Sequence, residues 1–185
     1  MNPRGIDGID GADPMLAGTA QDLFPLSPAQ LGIWYAQHRT PNVAINIAQY
    51  VDLRGDLDTD VLERMSRIAA AEIRSGFVRL LEIDGVPQQV VDYSLETPLE
   101  LVDLRDAPDP EKAALDWMQV EYSAPVDMVS DRLIVAAALR LEDSRYYWYA
   151  RVHHVVLDGF GAMNFMTRVA ELYSATVEDA TPSRL

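Results

Sequence analysis

Residues 144–175 change their hydrophobic periodicity once, and this change constrains the fold more than any other feature of the sequence. The segment "SRYYWYARV" is rich in aromatic and β-branched residues, as strands are, whereas "FGAMNFMTRVAELYSA" has the apolar spacing of a helix. Between them lies "HHVVLDG", which begins at His153. The sequence therefore predicts a strand-to-helix turn that carries two histidines, an aspartate and a glycine, and turns of this kind often present polar groups to a cleft.

The rest of the chain alternates between the same two periodicities. Ser27 is a candidate N-cap for the first helix, Asp58 or Thr59 for the second, and Asp84-Gly85 is a hairpin signal. This mixed order predicts an α+β fold, or an α/β fold with antiparallel excursions. Helices are predicted over residues 28–38, 57–74, 110–125 and 160–175, and strands over residues 45–55, 77–83, 87–93, 99–105, 132–141 and 145–152.

Composition excludes several classes of function. The 185 residues carry a net charge of -14, which repels nucleic acids and anionic membrane surfaces. The chain has no cysteine, and no apolar run approaches the ~20 residues of a membrane span. Residues 1–22 lack the apolar core of a secretory signal and are expected to form a flexible leader, so we expect a cytoplasmic protein. The acid-rich stretch 82–111 is interpreted as solvated surface.

The residues of the predicted turn have both chemical and structural interpretations. A histidine can exchange a proton near neutral pH, but a histidine in a short turn often serves only as a hydrogen-bonding group. Asp158 could pair with an imidazolium or with a buried arginine, and Gly159 could adopt a positive φ or admit a ligand close to the backbone. A zinc site is disfavoured because the third histidine, His38, is distant in sequence, and a serine hydrolase because no G-x-S-x-G motif is present.

Three ordered motifs resemble those of one enzyme family. "HHVVLDG" (153–159) is similar to the HHxxxDG signature of nonribosomal peptide synthetase condensation domains, which belong to the chloramphenicol-acetyltransferase-like acyltransferases. "SPAQLGIWYAQ" (27–37) and "IRSGF" (73–77) resemble the family's first and second motifs. The resemblance, which looks closest to siderophore synthetases, implies that residues 23–185 form the N-terminal lobe of such a domain, with a mixed β-sheet flanked by helices.

The resemblance implies a role for each residue of the turn. His154 corresponds to the histidine that lies beside the reacting amine, which it would orient or deprotonate. His153 is expected to pack inward and shape the turn. Asp158 is expected to pair with Arg74 of the second motif, and Gly159 to leave room near a phosphopantetheine arm. The family supplies no resident cofactor or metal for this lobe, because the substrates travel on the phosphopantetheine of carrier proteins.

The resemblance also implies partners. These are a C-terminal lobe that this sequence does not contain, a donor carrier protein on a separate chain, and downstream adenylation and carrier domains. The lobe alone is expected to be inactive. Two departures from the family pattern stand out, since three alanines (69–71) precede "IRSGF" and Gly161 occupies a position where serine is common.

Other interpretations of the family resemblance stay open. The intact histidine motif argues against heterocyclisation domains, which carry paired aspartates instead. An epimerisation domain, a standalone small-molecule acyltransferase and a noncatalytic half-domain that docks carrier proteins would each retain most of these motifs.

Overall fold

The computed structural model describes residues 23–73, 75–95 and 97–182. Apart from a two-residue strand, Phe24–Pro25, that the sequence did not predict, the strands and α-helices follow the predicted order, and most boundaries agree to within two residues. A short 3-10 helix, Ser75–Phe77, follows the second α-helix. In chain order the strands and α-helices of the described residues are β1 Phe24–Pro25, α1 Pro28–Arg39, β2 Asn46–Arg54, α2 Thr59–Ile73, β3 Val78–Ile83, β4 Val86–Val91, β5 Leu99–Asp103, α3 Pro110–Ser123, β6 Ile134–Glu142, β7 Arg145–His153 and α4 Gly159–Val177.

A four-stranded mixed sheet forms the centre of the fold, in the order β2-β7-β6-β5. β7 pairs antiparallel with both neighbours, and its register with β2 runs without a break from Asn46↔His153 to Arg54↔Arg145. β5 is parallel to β6, which makes the sheet mixed. The predicted α/β fold, with a mixed sheet flanked by helices, is therefore confirmed.

Helices cover the two faces of this sheet with separate apolar clusters. Trp148 and Ala150 of β7 pack with residues of α2 and α4, such as Met65 and Val169. Alternate residues of the same strands, including Tyr149, pack with α3 instead. Side chains alternate across a strand, so one nearly continuous apolar run supplies both clusters.

A second, three-stranded antiparallel sheet lies beside α1, in the order β1-β4-β3. Its β3–β4 hairpin turns at Asp84 and Gly85, whose φ angles are 52° and 77°. Positive φ at both central residues is the requirement of a type I′ turn, which explains the Asp-Gly pair. Trp34 of α1 and Leu80 of β3 belong to one buried cluster, so this sheet and α1 share a core.

α1 and α2 each begin just after a residue whose side chain accepts hydrogen bonds from backbone N–H groups in the first turn of the helix. Ser27 caps α1 in a capping box with Gln30, as the sequence predicted for the cap. The Asp58 carboxylate accepts hydrogen bonds from the backbone N–H groups of Asp60 and Val61, which decides between the two candidate caps of α2. In the described part of the chain, none of the helices is long and apolar enough to cross a membrane.

The interpretation of the acid-rich stretch as solvated surface holds for its described acids with one exception. Asp92 is buried, with 4% exposure, and does not lie on solvated surface. Its carboxylate accepts a hydrogen bond from the Ser94 backbone and lies 3.4 Å from Nη1 of Arg79. An aspartate can enter the interior where backbone and guanidinium donors replace its hydration, and a count of charges along the sequence does not detect such donors.

Gly76 provides a test of the packing between α2 and the 3-10 helix. A Cβ atom at Gly76 would lie 2.5 Å from the Cβ of Ala70, which has no flexible side chain to move away. We expect Gly76→Ala to lower the free energy of unfolding by ~1–3 kcal/mol in urea denaturation, as overpacking does. Gly32→Ala is the control, because a Cβ there meets nothing within 4 Å, and it should stabilise α1 by ~0.5–1 kcal/mol. Equal destabilisation by both substitutions would contradict this account.

Candidate active site

The predicted strand-to-helix turn is present, and we name residues His153–Asp158 the histidine turn. β7 ends at His153, and α4 begins at Gly159. The backbone N–H of His154 donates a hydrogen bond of 3.0 Å to the carbonyl of Ile45, in the loop before β2. The His154 side chain is exposed, and its imidazole makes no hydrogen bond with the described residues. The backbone of His154 is thus fixed while its imidazole is open to solvent.

His153 has the opposite environment, because it is completely buried. Its Nδ1 accepts a hydrogen bond of 3.2 Å from the backbone N–H of Val155, and its Nε2 lies 3.4 Å from Oε1 of Gln37. Burial, followed by the nearby positive charge of Arg151 and by His154, lowers the pKa of His153 to about 4. His153 is therefore neutral at physiological pH and lies inside the fold, the inward position that the sequence analysis expected.

Arg151 belongs to a buried polar group on the α3 side of the sheet. Its Nη2 lies 2.9 Å from Oε1 of Glu121, and its Nη1 donates to the carbonyl of Arg132 at 2.9 Å. The Tyr149 hydroxyl donates to Oε2 of the same glutamate at 2.8 Å. Burial, reinforced by this bond to Glu121, raises the pKa of Tyr149. The group joins α3 to the strand that ends in the histidine turn, and removal of one charge would leave the other buried and unpaired.

Gln30 contacts the histidine turn from α1, which the sequence analysis did not foresee. Its Nε2 donates to the carbonyl of Val155 at 3.2 Å, while its Oε1 accepts the backbone N–H of Ser27 in the capping box. Gln30 is the glutamine of the "SPAQ" motif, and Trp34, one helical turn later, packs in the same cluster as Val155. The spacing of Gln30, Trp34 and Gln37 on one helical face is the signal that could have revealed these contacts.

Asp158 is the N-cap of α4. Its Oδ1 accepts a hydrogen bond of 2.7 Å from the backbone N–H of Gly161. Such a cap satisfies one of the amide groups that lack a partner at a helix start. The expected partner of Asp158, Arg74, lies outside the described residues, so their ion pair stays a prediction.

Gly159 has space around it and an ordinary backbone. A Cβ atom at Gly159 would meet nothing within 4 Å, and its φ is not positive, unlike those of Gly55 and Gly85. Of the two uses considered for this glycine, a positive φ is therefore wrong. The packing of the described residues does not itself require glycine here.

An ion pair between the buried Arg168 and the partly exposed Glu72 fixes α4 against α2. Nε and Nη2 of Arg168 lie 2.7 and 2.9 Å from the two carboxylate oxygens of Glu72. Two hydrogen bonds between one guanidinium and one carboxylate fix the relative orientation of the two side chains as well as their distance. The helix that begins at the histidine turn is thus fixed near its middle as well as at its N-cap.

The histidine turn does not line either of two neighbouring cavities. These have volumes of about 220 and 470 Å³, and both border the segment 126–134. Gln37 lines the larger cavity, but His154 lines neither. Among the described residues, no group of three or more histidine and carboxylate side chains could bind a metal ion.

The buried His153 predicts a pH dependence of stability. Its pKa is about 4 in the folded chain and near 6.5 when unfolded, so only the unfolded chain binds a proton between these values. The free energy of unfolding therefore keeps its full value above pH 6.5. It falls as the pH falls toward 4, by at most about 3 kcal/mol. Urea denaturation at pH 7.5, 6 and 5 should show this loss, and His153→Asn, which retains an acceptor for Val155, should reduce it. An unchanged pH dependence in His153→Asn would contradict the assignment.

The N-cap role of Asp158 can be separated from an ion pair. We expect Asp158→Ala to destabilise the chain by ~1 kcal/mol, the usual cost of losing a cap, and Asp158→Asn to cost much less, because the amide oxygen can still accept from Gly161. Thermal denaturation of both variants measures the difference. If the two variants are equally destabilised, the charge of Asp158 matters more than its cap.

Comparison with known proteins identifies the family of this chain. The condensation domain family matches residues 20–185. The chain is 35% identical over 159 residues to a dimodular nonribosomal peptide synthase of Bacillus subtilis (strain 168), covering 85% of this chain and 7% of that protein. It is 36% identical to the isonitrile lipopeptide synthase of Streptomyces coeruleorubidus, covering 95% of this chain and 12% of that protein. It is 33% identical to enterobactin synthase component F of Escherichia coli O157:H7, covering 86% of this chain and 13% of that protein.

Solved structures agree with this result. The fold superposes on the starter condensation domain of rhizomide synthetase with a TM-score of 0.83 and 32% identity, covering 89% of this chain and 40% of that one. It superposes on the first condensation domain of the calcium-dependent antibiotic synthetase with a TM-score of 0.78 and 26% identity (89% and 42%). The chain thus spans less than half of each relative. It belongs to the condensation domain family of nonribosomal peptide synthetases, the peptide-bond-forming acyltransferases with a chloramphenicol-acetyltransferase-like fold.

Proposed function

We propose that this chain is the N-terminal lobe of a condensation domain that joins a carrier-bound donor thioester to the amine of a carrier-bound aminoacyl acceptor. The observation that carries the proposal is the environment of His154. Its imidazole is exposed at the end of β7, its backbone is bonded to Ile45, and its neighbour His153 is buried and neutral. A rigid backbone with a free imidazole suits a group that must meet a substrate from outside the lobe.

The chemistry requires little beyond positioning and one proton transfer. The neutral acceptor amine attacks the thioester carbonyl, the C–N bond forms, and the C–S bond breaks to release the donor carrier's thiol. The amine loses a proton as the departing sulfur gains one. His154 either relays that proton or orients the amine, since a thioester is already activated toward attack.

The other residues of the turn support this role. His153 fixes the turn from inside the fold, and Asp158 fixes the start of α4, with Arg74 as its proposed partner. Gly159 leaves open space beside the turn, where the phosphopantetheine arm of a carrier protein can approach the backbone. No cofactor is proposed for the lobe itself, because the pantetheine arrives with the carriers.

The partners follow from the length of the relatives. Because this chain spans 40% of a solved condensation domain, we propose that a C-terminal lobe completes the reaction cleft over His154. The further proposed partners are a donor carrier protein on a separate chain, and adenylation and carrier domains downstream in the same polypeptide. The proposed site acts in the cytoplasm on carrier-bound substrates, with no nucleic acid or membrane as partner.

Two donor classes are favoured by specific relatives. Enterobactin synthase component F favours siderophore or related peptide biosynthesis, for which the family resemblance suggests an aryl donor. A lipopeptide synthase and a starter condensation domain solved in complex with C8-CoA favour a fatty acyl donor instead. Acyl transfer to an amine is common to both classes, so a direct comparison of the two donors decides between them.

Replacement of His154 tests the proposed function. The full-length protein, supplied with acyl and aminoacyl carrier proteins, should form an amide product detectable by mass spectrometry, and His154→Ala should reduce its rate ~10²–10⁴-fold, the usual range for a proton-transfer group. His38→Ala is the matched control, since His38 stacks on Trp34 within α1 and should be dispensable for the chemistry. His154→Gln separates the two roles, because it retains hydrogen bonding but accepts no proton.

The outcomes distinguish the alternatives. Product formation that survives His154→Ala would overturn the catalytic role and favour a noncatalytic docking lobe. Inversion of the acceptor's α-carbon without amide formation would indicate epimerisation. Transfer to a free amine or alcohol from coenzyme A would indicate a standalone acyltransferase. Aryl and octanoyl donors, compared in the same assay, decide the donor class.

A further inference from the structure

We infer that Gln37 is a positioning residue for the histidine turn. Through two separate contacts, Gln37 determines where the His154 imidazole lies. Gln37 lies in the last turn of α1 and is 5% exposed, so its amide has little access to water. The inference rests on the proposed function, because the position of His154 affects a reaction only if His154 takes part in acyl transfer.

The first contact fixes the loop between α1 and β2. The Gln37 Nε2 group lies 3.0 Å from the carbonyl oxygen of Val43, 3.3 Å from that of Thr40 and 3.4 Å from that of Pro41. Three carbonyl oxygens around one end of an amide require that end to be the NH₂ group. The loop that Gln37 binds in this way continues to Ile45, whose carbonyl accepts the backbone N–H of His154.

The second contact fixes the tautomer of His153. Since the NH₂ group of Gln37 faces the loop, its Oε1 faces Nε2 of His153, at 3.4 Å. An amide oxygen only accepts, so this Nε2 carries the proton. The Val155 backbone N–H, which donates to Nδ1 of His153, requires the same tautomer independently. Gln37 therefore orients the His153 ring, which precedes His154. It also orients the loop whose Ile45 carbonyl bonds to the His154 backbone.

Loss of the Gln37 amide should displace the histidine turn without abolishing substrate binding. Gln37→Met has a similar volume but no polar atoms to bind the loop carbonyls or the His153 ring. We expect kcat to fall about 10- to 100-fold, because small displacements of a reacting group are costly, while KM for the carrier-bound donor stays within about twofold. A purely structural role would reduce the folded fraction and leave kcat per folded molecule unchanged.

The matched control is Gln88→Met. Gln88 is a half-buried glutamine of β4 whose side chain makes no hydrogen bond with the described residues, so its replacement should alter neither kcat nor KM. Gln37→Glu is a second variant in case Gln37→Met folds poorly. A carboxylate can still accept from His153 but is repelled by the three loop carbonyls, so it should retain the ring contact and lose the loop contact.

A spectroscopic readout separates this inference from the proposed function. The sequence contains three histidines, so ¹⁵N-histidine labelling of the 185-residue chain gives few imidazole signals. We expect the Nε2–H tautomer at His153 in the parent and in Gln88→Met. In Gln37→Met the ring signals should shift while the tautomer stays the same, because the Val155 backbone N–H still donates to Nδ1. An unchanged His153 signal together with an unchanged kcat in Gln37→Met would overturn the inference. If the parent forms no product, the proposed function fails, and the His153 signals alone decide whether Gln37 positions the turn.

Discussion

β7 is paired on both edges and buried on both faces, and the positions of the other elements depend on it. β2 and β6 bond to it along its length, while α2 and α4 pack on one face and α3 on the other. A strand constrained from four directions has no freedom to slide, because a shift of one residue would exchange its two faces. Its last residue is His153, so the constraint on β7 extends directly to the histidine turn.

β7 also carries a buried charged side chain, Arg151, on the face that α3 covers. Arg151 lies between Glu121 and a backbone carbonyl, and Tyr149 donates to the same carboxylate. This arrangement offsets the cost of burying a guanidinium, and the positive charge of Arg151 adds to the effect of burial in lowering the pKa of His153. Arg151, which joins the sheet to α3, therefore also helps to keep the neighbouring histidine neutral.

Sequence periodicity predicted the helices and strands well because each has one dominant pattern, such as the apolar stripe of α2 and the aromatic run of β7. It could not predict that β5 runs parallel to β6, since strand pairing depends on contacts distant in sequence. It placed Asp92 on the surface because a composition count cannot detect the donors that bind a buried carboxylate. At the candidate site the family motif supplied His154, whereas the contact of Gln30 with the turn was not predicted. The spacing of Gln30, Trp34 and Gln37 indicates a shared helical face, but it does not identify the distant segment that this face contacts.

α1 explains why two motifs more than a hundred residues apart occur in one site. Gln30 and Gln37 lie on the side of the helix that faces the histidine turn, and one bonds to Val155 while the other faces His153. All of these contacts are between uncharged groups, so they do not change as the pH passes through neutrality. The turn thus combines a buried histidine that stays neutral near neutral pH with one that is exposed to solvent, and the contacts that hold the turn in place do not depend on a charged group.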